Sequence, residues 1–285
     1  MGSFLWLMLI KATPLVYAAL GGVLSERSGV INIGLEGMIA IGAFSGVAIS
    51  FATGSALIGA AGGVLAGAVL GAVLGLAATR FRVEQIVAGT GVNLIAIGGA
   101  AYGLVVVFGQ PGASREVNAL GGSGEIALVI FALVLAGLLH LFLFQTKAGL
   151  HVRACGENPR AADVAGIDPL RVRFWATTAG GAFAALGGVF LSMGELDLYS
   201  DGMSAGRGFI ALAAVIFGRW NPLGAMGAAV FFGAFEALQF TLQRTGIPVQ
   251  LMQALPYLAA LVALAGFAGR ARAPASDGVP YVTPR

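Results

Sequence analysis

Along this chain apolar residues come in long runs, and polar residues gather in short clusters between them. The apolar runs fall at about residues 4–24, 30–50, 55–78, 86–108, 125–145, 173–193, 206–220, 222–243 and 249–269. Most approach the ~20 residues that an α-helix needs to cross the hydrocarbon core of a bilayer. The pattern predicts an all-α fold, a polytopic transmembrane helical bundle with about 8–9 membrane segments. One run, 206–220, is too short, since its 15 residues at ~1.5 Å each reach only ~22 Å. It ends at Asn221-Pro222, a good N-cap followed by the residue favoured at the first helical position. A short broken or half-helix is therefore expected near 206–222. Interrupted helices line substrate paths in transporters, because non-helical backbone at membrane depth must face protein or water. Two short helices joined by a tight turn would give the same pattern.

Charge sets the orientation. Arg80 and Arg82, the stretch from Lys147 to Arg173, and Arg270, Arg272 and Arg285 together place ten of the sixteen Lys and Arg on one side. The opposite loops are poorer in basic residues, and one carries Glu195, Asp197 and Asp201. The positive-inside rule makes the first side cytoplasmic and puts the N-terminus outside. The N-terminal segment has no basic n-region and carries Lys11 within its apolar run, so it reads as the first span and not as a cleaved signal. The organisation expected is a permease-like membrane domain over 1–270 with a cytoplasmic loop at 146–173. The polar, Pro-rich tail at 271–285 reads as disordered and cytoplasmic.

Composition sharpens this reading. The chain of 285 residues is 58% hydrophobic and only 10% charged, with a mean hydropathy of +0.90. It carries 45 glycines, which in a bilayer let helices approach closely. Gly63, Gly67, Gly71 and Gly75 are spaced by four and form one stripe. That stripe suits packing inside its own subunit first, and contact with a partner subunit second. The net charge of +3 is explained by the positive-inside bias and does not imply nucleic acid. One cysteine and two scattered histidines leave no disulfide and no metal cluster, and no cofactor is expected.

The most polar stretch is GENPRAADVAGIDPLRVR, residues 156–173. Asn158-Pro159 starts a helix, RAADVA supplies about two turns, and Gly166 sits where a left-handed stop belongs. Asp168-Pro169 starts the next helix, which enters the membrane. The result is a short surface helix whose exposed side carries Glu157, Arg160 and Asp163, of mixed sign. A lipid-binding helix would be rich in Lys and Arg opposite a large apolar face. Small Ala and Val are better suited to a shallow protein groove.

This loop, together with LSERSGVINIGLEGMIAIGAFSG (24–46), QIVAGTGVNLIA (85–96) and GRGFIALAAVIFGRWNPLGA (206–225), resembles the membrane permeases of bacterial ABC importers. The family is the branched-chain amino acid, ribose and nucleoside permease group, and IGLEGM is most similar to the nucleoside-type branch. The resemblance implies a coupling helix in which Gly156, Glu157, Asn158, Pro159, Arg160, Ala161, Asp163 and Gly166 meet a cytoplasmic ABC ATPase. It also implies a second, related permease subunit, an extracytoplasmic substrate-binding protein, and a nucleoside or simple-sugar substrate. The location it implies is the bacterial cytoplasmic membrane. The residues agree in one respect. The only lysines, Lys11 and Lys147, follow Ile10 and Thr146, so no Gly-Lys P-loop exists and ATP must be hydrolysed by another chain.

Ionisable groups inside spans are costly and point to function. Glu36 and Glu236 lie among apolar residues, with Asn32, Asn93 and Gln239 at similar depths. These five are candidates for a substrate pathway, since amides and carboxylates suit a cargo bearing hydroxyls. Alternatively they fix helix register, and Glu36 pairs with Arg27 if it lies near the surface. A gradient-driven carrier would leave the capped loop helix unexplained. An intramembrane enzyme lacks any paired-carboxylate or Ser-His spacing.

Overall fold

In the computed structural model of the chain, residues 2–242, 254, 258, 261 and 272–282 are described. The helices are α1 (Gly2–Arg27), α2 (Leu35–Thr53), α3 (Ala56–Thr79), α4 (Gln85–Phe108), α5 (Gly121–Gln145), α6 (Lys147–Glu157), α7 (Pro159–Val164), α8 (Pro169–Val189), α9 (Arg207–Phe217) and α10 (Pro222–Leu242). A π-helical turn, Phe190–Glu195, prolongs α8. Among the described residues seven helices are long and apolar enough to span a membrane, and α9 is an additional short apolar helix. The expected segment at 249–269 lies largely outside the described residues.

Helix α8 is the spine, with α1, α2 and α3 packed along it through glycine. A Cβ on Gly188 would lie 2.0 Å from Ile39 O, one on Gly67 2.7 Å from Gly181 O, and one on Gly21 2.3 Å from Gly180 O. The stripe of Gly63, Gly67, Gly71 and Gly75 faces α2 and α8 of the same chain, as the first of its two readings had it. The large aliphatic residues between those glycines, Leu65, Val69 and Val73, point outward.

Two helices begin deep inside the bundle. Gly42 lies beside Ala185 and Gly188 beside Ile39 and Ala43, so α2 runs parallel to α8. That register puts Leu35 level with about residue 180, roughly eleven residues and ~16 Å into α8. Gly22 lies beside Val215, and Trp220 Nε1 donates to Glu26 Oε2 at 2.6 Å, so α9 runs parallel to α1. Arg207 is then level with about Pro14, roughly 20 Å from the end of α1. Helix α2 thus starts near mid-depth and runs away from the charged loop, while α9 starts near mid-depth and runs toward it.

The apolar run expected over 30–50 is helical only from Leu35. Residues 28–34 enter the bundle as irregular backbone, which inside a membrane protein must be satisfied by neighbouring groups. Gln85 Oε1 accepts from Ile31 N at 2.7 Å, Ser25 Oγ donates to Val30 O at 2.9 Å, and Asn93 Nδ2 donates to Ile33 O at 2.9 Å.

Replacing Gly71 by Leu drives a side chain into Thr177 O, 2.6 Å from where its Cβ would sit. Replacing Gly98, which has nothing within 4 Å, does not. The expected outcome is a loss of about 1–3 kcal/mol for Gly71→Leu and no loss for Gly98→Leu, read by thermal unfolding in detergent.

Candidate functional site

The residues singled out by sequence collect in two places, one near mid-depth and one on the charged loop. At mid-depth the starts of α2 and α9 touch, with the Gly208 Cβ position only 2.3 Å from Glu36 N. Each helix start exposes unpaired N–H groups and the positive end of a dipole. The Glu36 carboxylate, on a residue 5% exposed, answers both features. Its Oε1 accepts from Gly206 N at 2.8 Å and its Oε2 from Gly208 N at 2.7 Å. Pairing with Arg27 does not occur, because Arg27 Nε donates to Trp220 O at 2.7 Å.

Asn93 is committed in the same way, accepting from Gly37 N at 2.7 Å and donating to Ile33 O. It therefore clamps α4 to the first turn of α2. Glu236 forms an ion pair with Arg207 Nη2, which joins α10 to the start of α9. Arg207 Nη1 also donates to Met203 O at 2.9 Å. Gln239 lies half-buried, one turn beyond Glu236. Asn32 differs from the others. It is fully buried, and its Oδ1 has no hydrogen-bond partner among the described residues.

Arg207 is a group that sequence reading missed. A second intramembrane pair also escaped notice, in which Lys11 on α1 bonds Glu195 at the end of α8's π-helical extension. The signals were present, since Lys11 lies in an apolar run and Arg207 directly follows the glycine that begins α9. Their partners, however, are 184 and 29 residues away.

The loop folds as expected in its caps. Asn158 Oδ1 accepts from Ala161 N at 3.1 Å, Gly166 has φ +83°, and Asp168 Oδ1 accepts from Leu170 N at 3.0 Å. Three features differ from expectation. Residues 147–157 form α6, turned sharply from α5 at Thr146, whose Oγ1 caps Gly149 N at 3.0 Å. On α7 the buried residues are Pro159 and Ala162, whereas Val164 is 91% exposed and does not share the buried face.

The third concerns the tail, where residues 275–281 are hydrogen-bonded to the loop. Arg173, only 2% exposed, donates from Nη1 to Val279 O at 2.8 Å and from Nη2 to Ser276 O at 3.3 Å. The same guanidinium reaches Ser28 O and Cys155 O. Ser276 N donates to Gly156 O at 2.8 Å and Tyr281 OH to Asp163 Oδ2 at 2.7 Å. One buried arginine thus collects carbonyls from the end of α1, the end of α6 and the tail, a bond set that Pro-rich composition cannot reveal. Burial, working against the pull of Arg173, pushes the Asp277 carboxyl up to about 7.

The family model for the branched-chain amino acid transport system, permease component, matches residues 4–265. The guanosine ABC transporter permease protein NupQ of Bacillus subtilis is 38% identical, over 96% of this chain and 94% of its own. The nucleoside ABC transporter permease protein NupC of Lactococcus lactis is 36% identical, over 96% and 95%. The putative glucose ABC transporter permease protein TsgC13 of Haloferax volcanii is 30% identical, over 81% and 75%. No solved structure matches the chain.

Both side chains of the Arg207–Glu236 pair are largely buried, so removing one partner strands a charge. Arg207→Ala is expected to cost about 3–5 kcal/mol, and Arg207→Ala with Glu236→Ala less than the sum of the two single changes. A double-mutant cycle on thermal unfolding in detergent measures this.

Proposed function

The chain belongs to the family of branched-chain amino acid transport system permease components, and from that membership we propose that its cargo is a nucleoside. The protein is a multi-pass membrane permease subunit of an ABC importer and is not itself an enzyme. The observation that carries the cargo assignment is near full-length similarity to two permeases named for guanosine and nucleosides, at 38% and 36% identity. A simple sugar is the second reading, favoured by the 30% identity to a permease named for glucose.

In the transporter this subunit works beside a cytoplasmic ATPase and another permease subunit, and an extracytoplasmic binding protein delivers the cargo. The loop side faces the cytoplasm, as its cluster of basic residues requires. The coupling element is Gly156–Gly166, with Glu157, Arg160 and Asp163 as its polar residues and Asn158, Pro159, Ala161 and Gly166 shaping its turns. ATP binding and hydrolysis move this element, and the motion reaches mid-depth through α8, which starts at the loop and packs along α1, α2 and α3.

Of the five pathway candidates, Asn32 carries a buried Oδ1 with no partner among the described residues, and a hydroxyl or an amide of the cargo would satisfy it. Glu36, Asn93 and Glu236 act on the path indirectly, by holding the walls that α2, α4, α9 and α10 form. Gln239 lies on the Glu236 side of α10 and meets cargo further along.

Uptake of labelled uridine into cells making the whole transporter, with ATP varied separately from the proton gradient, tests the reading. The expected result is ATP-dependent uptake blocked by excess adenosine and not by ribose or leucine. Competition by ribose alone moves the cargo to simple sugars. Reversal of both charges, Glu157→Lys with Arg160→Glu, is expected to lower uptake about tenfold or more while the protein still inserts, in keeping with the loss of a few interface contacts.

A further inference from the structure

Several features near the loop are already explained by the fold, but one surface is not. Val164 ends α7 with 91% of its area exposed. Its neighbours exclude lipid as the cover, because Arg160 and Asp168 are exposed charged groups on the same loop and Asp163 is bonded to Tyr281. A single exposed aliphatic residue is ordinary on a surface, so Val164 gains its meaning from the exposed Val279 and Val282 of the tail, a segment bonded to the same loop.

The tail extends that surface. Arg173 and Ser276 fix its backbone, and Gly278, at φ +76°, turns it. Tyr281 is buried with its hydroxyl on Asp163. These bonds leave Val279 at 55% and Val282 at 53% exposure, beside the start of α7. Between the two segments lies a cleft of about 290 Å³, bounded by Asn158, Pro159 and Arg160 on one side and by Val279, Pro280 and Tyr281 on the other. A cleft of that size admits a side chain.

We propose that the ATPase subunit docks on a composite surface, α7 together with the strapped C-terminal segment 274–282, and inserts a side chain into the cleft between them. The proposal rests on the reading of the loop as the coupling element and adds a second segment to it. Glu157 and Asp163 then have a different role from the one their charge suggests. Asp163 anchors Tyr281, and Glu157 Oε2 accepts from Ala275 N at 3.3 Å. Both shape the surface by holding the strap, and Arg160, Val164, Val279 and Val282 are left to touch the partner.

The test uses the full transporter, with the permease tagged and the ATPase recovered from detergent extracts. Val164→Asp and, separately, Val279→Asp with Val282→Asp are each expected to lower ATPase recovery about tenfold, as loss of buried aliphatic contacts does. Val279→Ile with Val282→Ile is expected to preserve it. Normal recovery in the tail variant, with loss in Val164→Asp, overturns the composite surface and leaves the coupling loop standing. Normal recovery in both variants overturns the coupling-loop reading as well. A photoreactive amino acid at 282 reports independently of any folding defect. An adduct with the ATPase is expected, and an adduct with lipid or with the other permease alone overturns the proposal.

Discussion

The architecture depends on one carboxylate, that of Glu36, lying where two helices point their positive ends at each other inside the bilayer. Helices α2 and α9 start near mid-depth and run in opposite directions, so their N-terminal partial charges converge and repel. A lone buried carboxylate at that depth would also be costly. Together the two costs cancel, since Glu36 receives two backbone N–H groups at 2.8 and 2.7 Å and supplies the negative charge that both helix starts lack. The irregular backbone at 28–34 and 196–206 follows from this arrangement, because each segment must bring the chain to mid-depth before its helix begins. Asn93 then fixes the start of α2, and the Arg207–Glu236 pair fixes that of α9.

Glycine permits this arrangement to be compact. Gly208 lets the backbone of α9 rest on Glu36, and no side chain could fit where its Cβ would stand 2.5 Å from Glu36 Cα. Along α8 the same device brings three helices to backbone contact, which makes the spine stiff where the loop joins it. A displacement at Pro169 is therefore carried along a packed column to the level where α2 begins. The proposed coupling needs such a column, and the Cβ clearances show how little slack it contains.

Much of this was legible in the sequence because it is local. Spans follow from run length, the loop helix from Asn158-Pro159 and Gly166, and the short α9 from Asn221-Pro222. The Glu36 and Glu236 side chains stood out by cost alone. Their partners did not, since Gly206 is 170 residues from Glu36, and a backbone N–H carries no sequence signature. The tail misled for a related reason. Its Pro-rich, polar composition is that of a disordered segment, yet it is bonded to the loop by Arg173, which donates to carbonyls, and by further bonds to Gly156, Glu157 and Asp163. Helix α6 was missed because Lys147–Glu157 was read as part of the charged loop, although Gly149, Val152, Cys155 and Gly156 recur at helical spacing on a buried face that packs against α5 and the end of α1.

The distribution of satisfied and unsatisfied groups bears on how cargo moves. A transporter must not bind its substrate tightly at mid-depth, because every hydrogen bond formed there has to be broken for release. In this subunit the strong polar groups near mid-depth are already occupied by protein, Glu36 by α9, Glu236 by Arg207 and Asn93 by α2. Among the described residues, the buried polar atoms near mid-depth left without a partner include Asn32 Oδ1 and Arg207 Nε. On the proposed function, a nucleoside passing this wall meets a weak acceptor and fixed dipoles in place of mobile charges. Recognition then falls to the binding protein, and the permease contributes a path whose shape is set by clamped helix ends. Asn32→Ala is consequently expected to alter the rate of uptake more than its selectivity, because it removes a contact made in passing from a wall whose charges are otherwise engaged with one another.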